Sequence, residues 1–193
     1  ASLGLAGCTT SYEFDPVTLG DDDPGRVPGP RSNSQFVRAV YAANGGKLLW
    51  TDPARFASLQ KAIADSVKDG LTPADYHAAA LANFKGSVGE RDLLATDALV
   101  LLADHLRHGK VHPQSFDSEW NFGQNGHKPG TPPTQPEIDR AMVIINAPDV
   151  AAAIAAVAPT HPVYTQVRAE LARYQALAAR GGPRDVLFFT HST

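Results

Sequence analysis

Apolar residues recur three and four positions apart through most of residues 35–182, and no other feature limits the fold as strongly. This spacing places side chains on one face of an α-helix. Phe56, Leu59 and Ile63 are a clear example. Period-2 alternation long enough for a sheet is absent, and only the stretch DVLFFTHST at 185–193 is β-prone. The sequence therefore predicts an all-α fold, a multi-helix bundle built from antiparallel helix pairs.

Start and stop signals divide this body into helices. Asp52-Pro53 is an N-cap followed by proline at the first helical position, and Thr72-Pro73 with Asp75 has the form of a capping box. We expect one helix to begin at each pair, and a longer one to run from about residue 90 to 108 after a turn at 86–89. A last helix should start at Pro162, stop at Gly181-Gly182, and carry Val167, Leu171, Tyr174 and Ala178 at helical spacing.

Composition excludes several classes of function. The chain of 193 residues carries a formal net charge of −3 and no basic stripe, so we expect no nucleic-acid partner. It has a single cysteine, which rules out an intrachain disulfide. No run of 18 apolar residues occurs, so any contact with a membrane is expected only through a lipid anchor.

The segment that precedes the body has the pattern of a bacterial lipoprotein. Leu5-Ala6-Gly7-Cys8 fits a lipobox, in which small residues precede the cleaved bond and the cysteine thiol accepts a diacylglyceryl group. We therefore predict lipidation of Cys8, a signal-peptide remnant at 1–7 and a disordered, flexible tether at 8–34 that is rich in Asp, Pro, Gly and Ser. The expected location is the periplasm or cell envelope, with a lipid anchor holding the chain to the membrane.

Three histidines lie within the stretch LLADHLRHGKVHP at 101–113: His105, His108 and His112. One interpretation is a helix terminus, because basic side chains in a last turn stabilise the negative end of the helix dipole and Gly109 ends the helix. The alternative is a zinc or acid–base site, which needs three converging ligands and a carboxylate that orients one of them. The spacing favours the helix terminus, and we predict neither a metal ion nor a cofactor.

Three further residues have both a structural and a functional interpretation. Asp97 is an acid in an apolar helix, which favours a polar contact with Trp50, Tyr76 or a histidine over catalysis. Trp50 and Trp120 each stand beside a loop, where aromatic rings bind sugars but more often anchor the core.

Three segments together resemble a known family. They are VYAANGGKLLWTDPARFASLQKAIADSVKDGLTPADYH at 40–77, LLATDALVLLADHLRHGKVHPQSFDSEWNF at 93–122 and APTHPVYTQVRAELARYQALAARGG at 158–182. Their order is similar to that in the N-terminal scaffold domain of YcbB-type murein L,D-transpeptidases, which also contain a YkuD catalytic domain. The resemblance covers residues 35–182, and residues 183–193 match nothing expected of the family and are predicted to be an irregular tail.

The resemblance implies a non-catalytic scaffold, in a truncated or degenerate form of an enzyme that cross-links peptidoglycan. The family's nucleophile is a cysteine in a separate catalytic domain, and no S-x-G-C motif occurs here. No catalytic residue can therefore be carried over, and the expected partners are catalytic and peptidoglycan-binding domains, in cis or in trans. Two alternatives stay open: a stand-alone envelope module that binds peptidoglycan or a partner protein, and a zinc hydrolase using the three histidines.

Overall fold

The protein is all-α throughout the part of the chain that the structure describes. The structure, a computed structural model, describes residues 34–111 and 132–181. Within these ranges there is no strand, which confirms the predicted fold class. The α-helices are α1 (Ser34–Ala43), α2 (Pro53–Asp65), α3 (Ala78–Ala82), α4 (Val88–His108), α5 (Gln135–Ile145), α6 (Val150–Ala155) and α7 (Pro162–Ala179). Short 3-10 turns lie at Ser66–Asp69 and Pro73–Tyr76.

Helix α4 is the longest of these elements, with 21 residues, and forms the centre of the fold. A capping box fixes its start: Ser87 accepts a hydrogen bond from the Glu90 amide, and the Glu90 carboxylate accepts one from the Ser87 amide. Leu99 and Leu102 are completely buried. Both sides of the middle of the helix are covered, because Thr96 and Ala98 are also fully buried.

The shorter helices pack around α4 and around each other. α1 contacts α4 and α5, and α2 contacts α6 as well as α4. A polar bridge fastens α2 to α6: the Ser58 hydroxyl donates to Asp149 at 2.9 Å and accepts from the Ala151 amide at 2.9 Å. Side chains from these helices and from the linker at 49–50 form one continuous core.

The prediction of one continuous helix beginning at Thr72 is wrong. The chain makes a 3-10 turn at Pro73–Tyr76, passes through His77 in the left-handed region at φ 58°, and only then forms α3. Thr72 makes no side-chain cap, and the Asp75 carboxylate instead pairs with Lys110. Long-range contacts to α4 therefore override the local capping signal.

The apolar residues that recur at helical spacing along α7 are largely exposed in the described structure. No residue of α7 is buried, and Val167 and Tyr174 are 62% and 60% exposed. The helix is attached to the body mainly through the first 3-10 turn. Leu171 of α7 packs beside Gly70, which follows that turn, and a side-chain carbon added at Gly70 would lie 3.5 Å from a Leu171 methyl. The start at Pro162 is confirmed, with His161 as its N-cap.

Candidate functional site

The segment at 69–77 places three consecutive side chains against α4. Gly70 turns the chain at φ 75°, in the left-handed region that glycine adopts without strain, and Pro73 starts the second 3-10 turn. Asp75, Tyr76 and His77 then each meet a different partner on or just beyond α4. We call this set of three contacts the 75–77 clasp.

The innermost contact of the clasp joins His77 to Asp97. His77 Nε2 lies 2.8 Å from Asp97 Oδ2, and the side chains are 20% and 2% exposed. Burial raises the pKa of the Asp97 carboxyl, and the hydrogen bond and charge of His77 oppose that rise. Among the described residues, Asp97 Oδ1 has no hydrogen-bond partner. The prediction of a structural contact between Asp97 and a histidine is confirmed.

The other two contacts extend the clasp along α4. The completely buried Tyr76 has its hydroxyl 3.0 Å from His105 Nδ1, and the two rings meet edge to face at 5.7 Å. Burial, and secondarily the charge of Asp75, raise the pKa of the Tyr76 hydroxyl. At the rim, Lys110 donates to Asp75 at 2.7 Å. The neutral Tyr76 hydroxyl and the His105 ring that it contacts together hold the C-terminal end of α4 against the second 3-10 turn.

A second buried cluster surrounds Asp92, and sequence reasoning missed it. The Asp92 carboxylate is 2% exposed and accepts from the amides of Leu49 and Trp50 at 2.9 and 2.7 Å. It also accepts a hydrogen bond from the Tyr41 hydroxyl. Thr96 joins the same cluster through its hydroxyl, which accepts from Trp50 Nε1 at 3.0 Å.

The Asp92 cluster fastens the linker at 49–50 to α4. Asp92 lies near the start of α4, where acidic residues are commonly exposed to solvent. Nothing in the neighbouring sequence therefore indicated that it is buried. The pKa of the Tyr41 hydroxyl is raised, first by burial and then by the charge of Asp92, so this phenol remains a donor. The cluster therefore serves as a backbone clamp, with its donors already directed at the carboxylate.

His105 and His108 lie in the last turn of α4, as the favoured interpretation predicted. His108 is the last residue of α4, and Gly109 follows at φ 89°, with its amide donating to the His105 carbonyl. His108 Nδ1 is 2.8 Å from Asp104, one turn earlier. His112 lies outside the described residues. Within the described ranges no three His, Cys, Asp or Glu side chains are grouped as a metal ion requires.

The remaining predicted residues divide between the core and the parts outside the described ranges. Trp50 is 1% exposed, so it anchors the core and offers no platform to a sugar. Trp120 and Cys8 lie outside the described residues, as do the predicted segments 1–7 and 183–193 and nearly all of the tether at 8–34. No helix within 34–111 and 132–181 has both the length and the apolar character needed to cross a bilayer.

An apolar groove of about 320 Å³ opens between α2, α3 and the second 3-10 turn. It is lined by Gln60, Ile63, Ala64, Pro73, Ala78, Leu81 and Ala82. None of these side chains ionises, so the groove has neither a nucleophile nor a general acid or base. The buried titratable groups of the clasp and of the Asp92 cluster hold segments of backbone together and do not line this groove.

Comparison with known proteins gives one match. A family model described as Scaffold domain matches residues 35–171, which is most of the chain and nearly all of the predicted scaffold region. No curated protein and no solved structure matches the chain significantly.

Proposed function

This chain belongs to the Scaffold domain family, and on that premise we propose that it is the non-catalytic scaffold of an L,D-transpeptidase that cross-links peptidoglycan. In this proposal it acts by holding catalytic and peptidoglycan-binding domains, joined to it in the same chain or bound in trans. The family match confirms the domain that the sequence resemblance named.

The observation that carries the proposal is the 75–77 clasp. The segment DGLTPADYH at 69–77 and two segments of α4, TDA at 96–98 and HLR at 105–107, belong to the stretches that carry the resemblance; they are separate in sequence but meet in the structure. His77 contacts Asp97 of the TDA motif, and Tyr76 contacts His105 of the HLR motif. The residues that give the resemblance therefore stabilise the fold, as expected of a domain that supplies a rigid body.

The chemistry of these groups also supports a scaffold rather than an enzyme. The Asp97 carboxylate is almost completely covered, and the Tyr76 ring is completely covered, so a substrate has no route to either group. General acid–base catalysis requires the group to reach the proton that it transfers. His77, although partly exposed, uses its Nε2 on Asp97.

We place the protein in the cell envelope and attach it by a lipid on Cys8. The support is the Leu5-Ala6-Gly7-Cys8 pattern, whose small residues and cysteine suit lipoprotein processing. Expression with an intact signal peptide in a bacterial host, followed by mass spectrometry of the mature N-terminus, tests this part. A diacylglyceryl mass on Cys8 is the expected result, and an unmodified, soluble Cys8→Ser variant is the control. An unprocessed wild-type chain would exclude the anchor.

The scaffold role is tested with purified L,D-transpeptidase catalytic domain and tetrapeptide-containing muropeptides. The chain alone should form no cross-links, and adding it to a catalytic domain that lacks its own scaffold should raise the rate of cross-linking. A heat-unfolded sample of the same chain is the matched control. Cross-linking by the chain alone that persists in Cys8→Ser would refute a non-catalytic role, and an unchanged rate together with no binding would refute the partnership.

A further inference from the structure

His77 interrupts the chain between two short helical pieces, the second 3-10 turn and α3. It is the only residue of the described ranges other than glycine that has a positive φ, at 58°. A side chain is crowded against the backbone in this left-handed region, so a residue stays there only where its surroundings hold it. Such a hold is present, because His77 Nε2 lies 2.8 Å from Asp97 Oδ2. The side chain of His77 therefore fixes the backbone of its own position.

The sequence on both sides of His77 favours one continuous helix instead. Thr72-Pro73 with Asp75 has the form of a helix start, and residues 78–82, AAALA, are strong helix formers. The interrupted form leaves these preferences unused, because neither Thr72 nor His77 caps the piece that follows it with its side chain. In a continuous helix, the amides in the first turn of α3 would gain carbonyl partners. Local preference and tertiary contacts therefore oppose each other in this segment.

The two conformations bury different side chains. In the interrupted form Tyr76 and Leu81 are buried in the core, and Phe84 packs against the core but is only partly buried. In a continuous helix Tyr76 and Phe84, eight positions apart, belong to one apolar stripe. Leu81 would lie about 140° around the helix from Tyr76. Phe84 can therefore replace Leu81 as the second buried side chain, so the sequence provides a core contact for either form.

The apolar groove beside α2 depends on the interruption at His77. Its wall includes Pro73 on one side of His77, and Ala78, Leu81 and Ala82 on the other. In a continuous helix Pro73 and Ala82 are nine positions apart, which is a rotation of about 900°, or half a turn beyond two full turns. These two residues would lie on opposite sides of the helix, where they cannot both face α2. Joining the two helical pieces therefore removes the groove.

We propose that residues 72–84 form a two-state segment, in which the contact of His77 with Asp97 selects the interrupted form and keeps the apolar groove open. When this contact is lost, the segment forms one helix and the groove closes. His77 is the control point, because its side chain is partly exposed to solvent whereas that of Asp97 is almost completely buried. The contacts of Asp75 and Tyr76 with the end of α4 lie on the N-terminal side of the interruption, so both forms can keep them.

Nuclear magnetic resonance on the full chain tests the proposal with three variants. His77→Ala removes the contact and favours a helical backbone, so the Cα of residue 77 should shift downfield from its random-coil position, and cross-relaxation between residues three positions apart should continue across it. His77→Gly also removes the contact but adopts a positive φ without strain, and Asp97→Asn keeps an acceptor for the ring, so both should retain the interrupted form. A His77→Ala chain that keeps a positive φ at residue 77, or that shows random-coil shifts throughout 72–84, would overturn the proposal.

A matched pair of variants that keep both His77 and Asp97 gives a second readout, which does not depend on the folding of His77→Ala. Leu81→Ala removes a side chain that only the interrupted form buries. It should raise the population of the continuous helix to about 1–10%, which relaxation dispersion detects at the amides of 77–80. Phe84→Ala weakens the continuous helix instead and should show no such exchange. Exchange in neither variant, or equal exchange in both, would contradict the two-state segment.

Discussion

Removing the imidazole of His77 provides the sharpest test of the 75–77 clasp. His77→Ala leaves the Asp97 carboxylate, 2% exposed, without its one hydrogen-bond partner among the described residues. Breaking a fully buried pair destabilises a protein by about 3–5 kcal/mol. Because His77 is 20% exposed and water can enter the vacated space, we expect a smaller loss of unfolding free energy, about 2–3 kcal/mol.

A double-mutant cycle separates this pair from other effects of the substitution. Asp97→Asn removes the charge but keeps an acceptor for His77, so it should change the stability by less than about 1 kcal/mol. In the Asp97→Asn background, His77→Ala should be milder than in the wild type by about 2 kcal/mol, because no buried charge remains to be stranded. His77→Asn is the matched backbone control, since asparagine tolerates the left-handed φ of this position but its shorter side chain does not extend to where Nε2 of His77 contacts Asp97.

The pH dependence of His77→Ala has a defined sign. Burial raises the pKa of Asp97 above its ordinary value of 3.8, and the variant lacks the opposing effect of His77. The folded variant therefore holds its proton more tightly than the unfolded chain. The contribution of Asp97 to the variant's stability should be greatest below pH 3.8 and should fall as the pH rises through the raised folded pKa. Urea unfolding monitored by far-ultraviolet circular dichroism from about pH 3.5 to 7 measures this. If the loss of unfolding free energy of His77→Ala relative to Asp97→Asn is the same at about pH 3.5 and at about pH 7, the raised pKa does not belong to Asp97.

Three further substitutions test other parts of the fold. Asp92→Ala strands two buried backbone amides and a phenol, and should cost about 3–5 kcal/mol in urea unfolding, with Asp92→Asn intermediate; a loss below about 1 kcal/mol would contradict the clamp. Ser87→Ala removes the side-chain acceptor at the start of α4 and should lower the unfolding free energy by about 1 kcal/mol, whereas no change would mean that the capping box is dispensable. Asp69→Asn weakens the contacts of Tyr164 and Arg168, so amide exchange in α7 should quicken while exchange in α4 stays unchanged; equal changes in both helices would show that α7 is not separately attached.

The sequence predicted the helical class and several helix boundaries because those signals are local. Asp52-Pro53 does begin α2, with Asp52 accepting from the Ala54 amide, and Gly109 does end α4. Such caps depend on residues two to four positions apart, which a sequence displays directly. The scaffold family was also predictable, since its motifs are ordered along the chain.

The interior of the site was only partly predictable because its partners are distant in sequence. Asp97 was recognised as a structural acid, but nothing local chose His77, 20 positions earlier, over Trp50 or Tyr76. Asp92 was missed, since its partners lie 42 and 43 positions away for the amides and 51 for the phenol. The contacts of Asp75, Tyr76 and His77, which are also long-range, override the continuous helix expected after Thr72.

Helix α7 shows the limit of periodicity as evidence of burial. Its apolar spacing correctly predicted a helix, but spacing alone does not identify what covers the face. Val167 and Tyr174 share a stripe with Val163 that the described body leaves open. A helical pattern thus predicts that a face will be covered, and only the tertiary contacts show whether the body of the domain covers it.

The central claim is that the residues of the 75–77 clasp act by maintaining a rigid scaffold and take no part in chemistry. The most direct test measures peptidoglycan cross-linking by an L,D-transpeptidase catalytic domain in the presence of wild type, His77→Asn, His77→Ala and Asp97→Asn, alongside the folded fraction of each at the assay temperature. The account predicts that the stimulated rate rises in proportion to the folded fraction, with Asp97→Asn close to wild type. A fully folded Asp97→Asn protein that no longer stimulates cross-linking would contradict it.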